Sequence, residues 1–144
     1  MFYSNERDQL RGQFFNAWQK AKNNEILTEL EKQIVEVIIE HPEYHLMIEN
    51  KAKYEDKDYE PESGQTNPFL HMSLHLAIRD QVKTNRPNGI LNFYQQQCQN
   101  HKSIEKVEHM MMEVLVEMIW QMQKTGQMVD EAQYLTLLKN YFKH

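Results

Sequence analysis

Apolar residues recur at helical spacing along most of the chain, and no segment shows a convincing strand alternation. Between about Ser4 and Lys22, Leu10, Phe14 and Trp18 fall four apart with Phe15 beside them, which predicts an amphipathic helix docking by its aromatic face. A second helix is expected from Thr28, where Thr28 and Glu31 make a capping-box pair and Leu30, Ile34, Val37 and Ile38 line one side. Its register cannot pass Pro42, which has no N–H for the backbone ladder and clashes with the carbonyl four residues back. With His41 as N-cap and Pro42 at the first helical position, HPEYH restarts as a short turn that leaves His45 pointing inward. On that reading His45 is a better ligand candidate than His41.

Residues 50–66, NKAKYEDKDYEPESGQT, have little periodicity, many charges, and Pro61 and Gly64, so a long acidic loop is expected, tethered by Tyr54 and Tyr59. Asn67 then caps and Pro68 opens a central helix that stops near Asn85, ahead of Arg86-Pro87-Asn88-Gly89. A short glutamine-rich helix follows from about Ile90 to Asn100, and a fifth runs from the Ser103 cap to Gly126. Asp130 with Gln133 caps a last helix, Tyr134 to Phe142. The pattern predicts an all-α fold: a single-domain helical bundle of five or six helices over residues 1–144.

Composition agrees with that picture. Apolar residues make up 40%, and Gly and Pro number only four each, as in a helical globular protein. A domain of 144 residues can bury roughly 68–70% of its unfolded surface without disulfides. The single Cys98 cannot form an internal disulfide, and the first residues lack the pattern of a secretory signal, so a reducing cytoplasm is expected. The longest apolar run, near Met110 to Trp120, is broken by Glu113 and Glu117 and falls short of the roughly 18 residues of a membrane span. With a net charge of −5 and scattered lysines and arginines, nucleic acid is not the expected partner. A homo-oligomer stays open, and no biological partner can be named.

The candidate chemistry lies in NPFLHMSLHLAI, residues 67–78. His71 and His75 are four apart, so they stand one above the other on one face, roughly 5–6 Å between Cβ atoms. That face is the apolar half of the helix, with Leu74, Ile78 and Val82 adjoining, while Arg79, Asp80 and Lys83 lie toward the other side. The fifth helix carries Glu105, His109, Glu113 and Glu117 at four-residue intervals, and His109 with Glu113 forms a second i, i+4 ligand pair. With His45, the set His45, His71, His75, His109 and Glu113 supplies four nitrogens and a carboxylate, suited to zinc, iron, manganese or nickel rather than to magnesium or calcium. Helical bundles assemble metal sites from inward groups on facing helices in this way. A plainer alternative stands beside it: Lys106, Glu113, Glu117 and Lys124 project in nearly one direction, as on a solvated strip, and His71 and His75 would then belong to a hydrogen-bonded polar core.

Other signals are weak. Met110, Met111 and Met112 point three ways on a helix, so they fill gaps in a core rather than converge on copper. Cys98, in YQQQCQNH, lacks an activating pattern, and His101 and His144 read as exposed. A glycine-rich phosphate loop, HExxH, GxSxG and paired CxxC are all missing.

With HPEYH at 41–45, GQTNPFLHMSLHLAIRDQ at 64–81 and EHMMMEVLVEMIWQMQ at 108–123, the chain resembles a small bacterial family, domain of unknown function eighteen forty-one. The resemblance runs from the second helix to the last and implies a bacterial cytoplasmic protein. It lends no activity; the family's histidine blocks fall at His41, His45, His71, His75 and His109. Two expectations follow from the residues themselves: a transition-metal site between helices, or a non-catalytic interaction or scaffold protein with a buried His/Glu network. An enzyme using a histidine as general base without metal is the third, and no nucleophile supports it.

Overall fold

The protein is described here by a computed structural model covering residues 2–59 and 67–143. Among these residues it is all helical: α1 (Phe2–Lys22), α2 (Glu29–Ile39), a 3-10 turn (Pro42–Tyr44), α3 (His45–Ile48), α4 (Lys51–Tyr54), α5 (Pro68–Thr84), α6 (Ile90–His101), α7 (Ile104–Thr125) and α8 (Glu131–Phe142). The count of eight corrects the expected five or six. The two additional helices, α3 and α4, are single turns of four residues, too short to show a 3.6-residue period in the sequence. α4 also occupies the start of the expected loop, whose Pro61 and Gly64 lie outside the described residues.

The chain divides into two compact units, Met1–Leu76 and Ala77–His144. In the first, α1 packs on α2, placing Phe14, Phe15 and Ala17 in one cluster with Ile34, Val35, Val37 and Ile38. Met47, Ile48, Phe69 and Met72 complete it. Phe69 packs against Phe14 and Phe15 of α1, with ring centroids 6.0 Å and 5.6 Å away. The buried stripe of α1 therefore runs through Arg11, Phe14, Phe15 and Ala17, with Trp18 partly buried beside it, and Leu10 is 40% exposed. Arg11 takes the place expected of Leu10 because its guanidinium donates to the carbonyls of Glu55 (3.1 Å) and Lys57 (2.7 Å). That strap, with Tyr54 and Tyr59 packed on the core and the Tyr59 hydroxyl on Met47 Sδ, fastens the segment after α4.

Local signals start α2 and α5 where the sequence places them. Thr28 and Glu31 exchange both capping-box hydrogen bonds, and Asn67 Oδ1 accepts from the N–H groups of Phe69 and Leu70 at 3.0 and 3.2 Å.

In the second unit α7 packs on α6 and on α8. Ile90, Phe93, Val107, Met111, Val114, Leu115, Tyr134 and Leu138 are buried, and the Tyr134 hydroxyl donates to Gln81 Oε1 at 2.8 Å. Ser103 caps α7, Gly126 ends it at φ +73°, and Asp130 with Gln133 forms the expected box on α8. Asn85 Oδ1 accepts from the N–H groups of Gly89 and Leu91, so one side chain fixes the turn into α6. Glu108, 4% exposed, receives the Arg79 guanidinium through Nε (3.1 Å) and Nη2 (3.0 Å). No helix among the described residues is long and apolar enough to cross a membrane.

Candidate metal centre

The end of α2 determines which histidine is offered. A helix leaves its last carbonyls without intrahelical partners, and Pro42 removes the N–H that would have served Ile38. The His41 N–H turns to Ile38 O at 3.0 Å, which leaves Val37 O without its backbone donor, and two imidazoles bond to these two carbonyls. His41 Nδ1 donates to Val37 O at 2.7 Å and His45 Nε2 donates to Ile38 O at 2.7 Å; a carbonyl only accepts, so each of these ring nitrogens carries the proton. The consequences differ. In neutral His41 the remaining nitrogen, Nε2, holds the lone pair a metal needs, and the ring is fixed by a backbone acceptor as metal-binding imidazoles usually are. His45 has its outer nitrogen committed to capping, and its ring lies 4.9 Å from that of Trp18.

His71 and His75 on α5 face each other as their spacing predicts, with Nε2 atoms 3.1 Å apart and ring centroids 4.7 Å apart. The His41 ring lies 5.2 Å from His71 and 4.9 Å from His75. Among the described residues, His41, His71 and His75 form the group whose ligand atoms all lie within 4.8 Å of one another. Two nitrogens bound tetrahedrally to one ion at about 2.0–2.1 Å are roughly 3.3 Å apart, so the His71–His75 separation already suits a shared ion. At the widest separation, His41 would move about 1.5 Å toward that pair.

His41 and His75 are 8% and 3% exposed, while His71 is half-buried, so the group is enclosed on two sides and reachable on the third. Tyr44 closes part of the surround: its ring stacks on His41 at 5.4 Å and meets His71 edge-on at 6.3 Å. Burial, and secondarily the charge of Glu43, raise the Tyr44 pKa above the ordinary phenol value, so at neutral pH it is a neutral wall.

The sequence ranks His45 above His41; in the structure the ring grouped with His71 and His75 is that of His41, while the His45 ring packs on Trp18. His109 is half-buried on α7, in the second unit. Glu113, on the same helix, is exposed and accepts a hydrogen bond from the Tyr141 hydroxyl, so it faces outward rather than inward. Glu117 is exposed and accepts from Gln121 at 3.0 Å. The Cys98 thiol is pushed above its ordinary pKa, mainly by burial, and is no activated nucleophile. His101 is half-buried with its ring 6.0 Å from Phe142, and His144 lies outside the described residues. The missed signal for His41 was readable: a histidine just before a proline at a helix end can turn its ring back to the carbonyl four residues earlier.

An all-helical protein carrying a partly buried three-histidine cluster is thus the class that fold and site define. The chain belongs to the family described as Domain of unknown function (DUF1841), whose model matches residues 6–140. Comparison with curated proteins and with solved structures finds no match.

Proposed function

We propose that this protein binds one transition-metal ion through His41, His71 and His75. The observation that carries the reading is the convergence of three imidazoles, one with its ligating tautomer set by Val37 O and two already 3.1 Å apart. Neutral imidazole donors suit zinc, iron or nickel, and they favour these over manganese, magnesium or calcium, which prefer oxygen. Three protein ligands leave a coordination position for water or a small ligand, the arrangement of catalytic rather than closed structural zinc sites. The half-buried edge at His71 gives that position a route to solvent. A bound ion there activates water or senses metal supply. The single-domain bundle and a reducing cytoplasmic setting belong to this reading, which the lone cysteine supports.

Isothermal titration of tag-free protein with zinc, nickel and iron(II) tests it. One ion per chain is expected, with binding lost in His75→Gln; failure of all three metals to bind overturns the proposal. A second reading rests on the same Nε2–Nε2 hydrogen bond: the histidines form a buried polar network in an interaction protein. In that case His71→Gln/His75→Gln lowers thermal stability in metal-free buffer and leaves metal content unchanged.

A further inference from the structure

The buried residues of α7, from Val107 onward, end at Leu115, yet the helix continues to Thr125, about 15 Å further. This second half is not simply polar. Val116, Ile119 and Trp120 are 41%, 36% and 50% exposed, and Trp120 leaves more apolar surface in water than any aliphatic side chain could. Large apolar side chains grouped on an exposed helix face mark an interaction surface.

The order of residues on that face says what fits it. Val116, Trp120 and Gln123 follow at four- and three-residue spacing, the seam of a two-helix coiled coil, on the side of α7 opposite Val107, Met111 and Val114. Ile119 flanks the seam on one side; Glu117 and Lys124 flank it on the other, seven residues and about 10.5 Å apart along the same edge. Both charged groups are exposed, and among the described residues neither is in an ion pair. Glu117 accepts from Gln121 at 3.0 Å, and Lys124 Nζ lies over the Trp120 ring at 4.8 Å.

An acid and a base one heptad apart on a single edge are self-complementary. If a second α7 lies antiparallel along the first, a two-fold axis brings the same edges together, and Glu117 of each copy stands opposite Lys124 of the other. Trp120 then falls between the two ion pairs, on the seam. Parallel pairing would instead set Glu117 against Glu117 and Lys124 against Lys124, which repel. We propose that this face is the interface of a two-fold homodimer, formed by antiparallel packing of Val116–Thr125 from two copies of the chain. Three turns of helix per copy make it a small, reversible interface, with Trp120 as the apolar anchor and the ion pairs setting direction and register.

Analytical ultracentrifugation of the full chain, from about 1 to 300 μM in buffer containing a chelator, tests this without involving the histidine cluster. A concentration-dependent monomer–dimer equilibrium is expected. Trp120→Ala should weaken it at least about tenfold. Glu117→Lys or Lys124→Glu alone places like charges opposite each other and should weaken it about tenfold, whereas the double variant Glu117→Lys/Lys124→Glu restores both pairs with their signs exchanged and should return within about threefold of wild type. These side chains are exposed, so the far-UV circular dichroism of each variant should match wild type; if Trp120→Ala does not fold, the charge exchange decides. A chain monomeric at every concentration, a dimer indifferent to Trp120→Ala, or a double variant no better than the single ones would each overturn the proposal.

Discussion

His41 and His45 flank one proline, both bond the end of α2, and only one is assigned to the metal, so exchanging their fates is an incisive test. In His45→Gln the hydrogen bond to Ile38 O is lost or weakened, along with packing on Trp18. A hydrogen bond of this kind contributes about 1 kcal/mol, which in a unit of this size lowers the melting temperature by roughly 4–8 °C. In His41→Gln the Val37 O bond is lost at similar cost, and the ligand with it. A ligand that binds only the folded state stabilises it by about 2.7 kcal/mol when present at a hundredfold excess over its dissociation constant. Added zinc should therefore raise the wild-type melting temperature by roughly 10–20 °C. Differential scanning fluorimetry with and without zinc separates the two effects. His45→Gln should melt lower in both conditions but keep the full zinc-induced rise, whereas His41→Gln should lose it. A rise that disappears in His45→Gln and survives in His41→Gln would refute the tautomer argument.

Three further outcomes follow from the packing. Phe14→Ala, at a position with no exposed surface and an edge-on ring contact to Phe69, should destabilise the protein by about 3–5 kcal/mol in urea unfolding. Glu108→Ala leaves the Arg79 guanidinium without its bidentate partner and should cost about 3 kcal/mol, the low end for a buried pair because Arg79 is about a third exposed. Adding Arg79→Met to that variant should recover part of the loss. The Tyr134 phenol is held at about 12 by burial, above its ordinary value of 10, so its neutral form is the one the fold favours. Its stabilisation is complete below pH 10 and lost as pH rises toward 12; Tyr134→Phe should melt lower at neutral pH and show a flatter decline over that window.

The legible features were those whose causes are local. Thr28 with Glu31, Asn67-Pro68, Ser103, Gly126 and Asp130 with Gln133 start or stop helices through bonds within a few residues, and each appears as read. The His71–His75 pair was equally legible, since helix geometry alone brings the two rings together. α3 and α4 were not, because a single turn carries no period and forms where tertiary contacts hold it. Arg11 was invisible for a related reason: its partners are carbonyls 44 and 46 residues away, and a cation on an aromatic stripe gives no hint of them. The place of the His41 ring was not legible because Pro42 was weighed for its effect on the backbone ladder, not for the α2 carbonyls to which neighbouring rings turn. Glu113 shows the opposite error, a four-residue spacing that suggested a ligand where the structure turns the side chain to solvent and Tyr141.

Anomalous diffraction from crystals of tag-free protein grown with zinc or nickel tests the central claim most directly, because it reports both the presence of the metal and the atoms around it. The account predicts one strong anomalous peak per chain, about 2.0–2.1 Å from His41 Nε2 and from the Nε2 atoms of His71 and His75, with His45 Nε2 still on Ile38 O. A peak ligated by His45 instead of His41, or no peak among the three rings in fully loaded crystals, would contradict it.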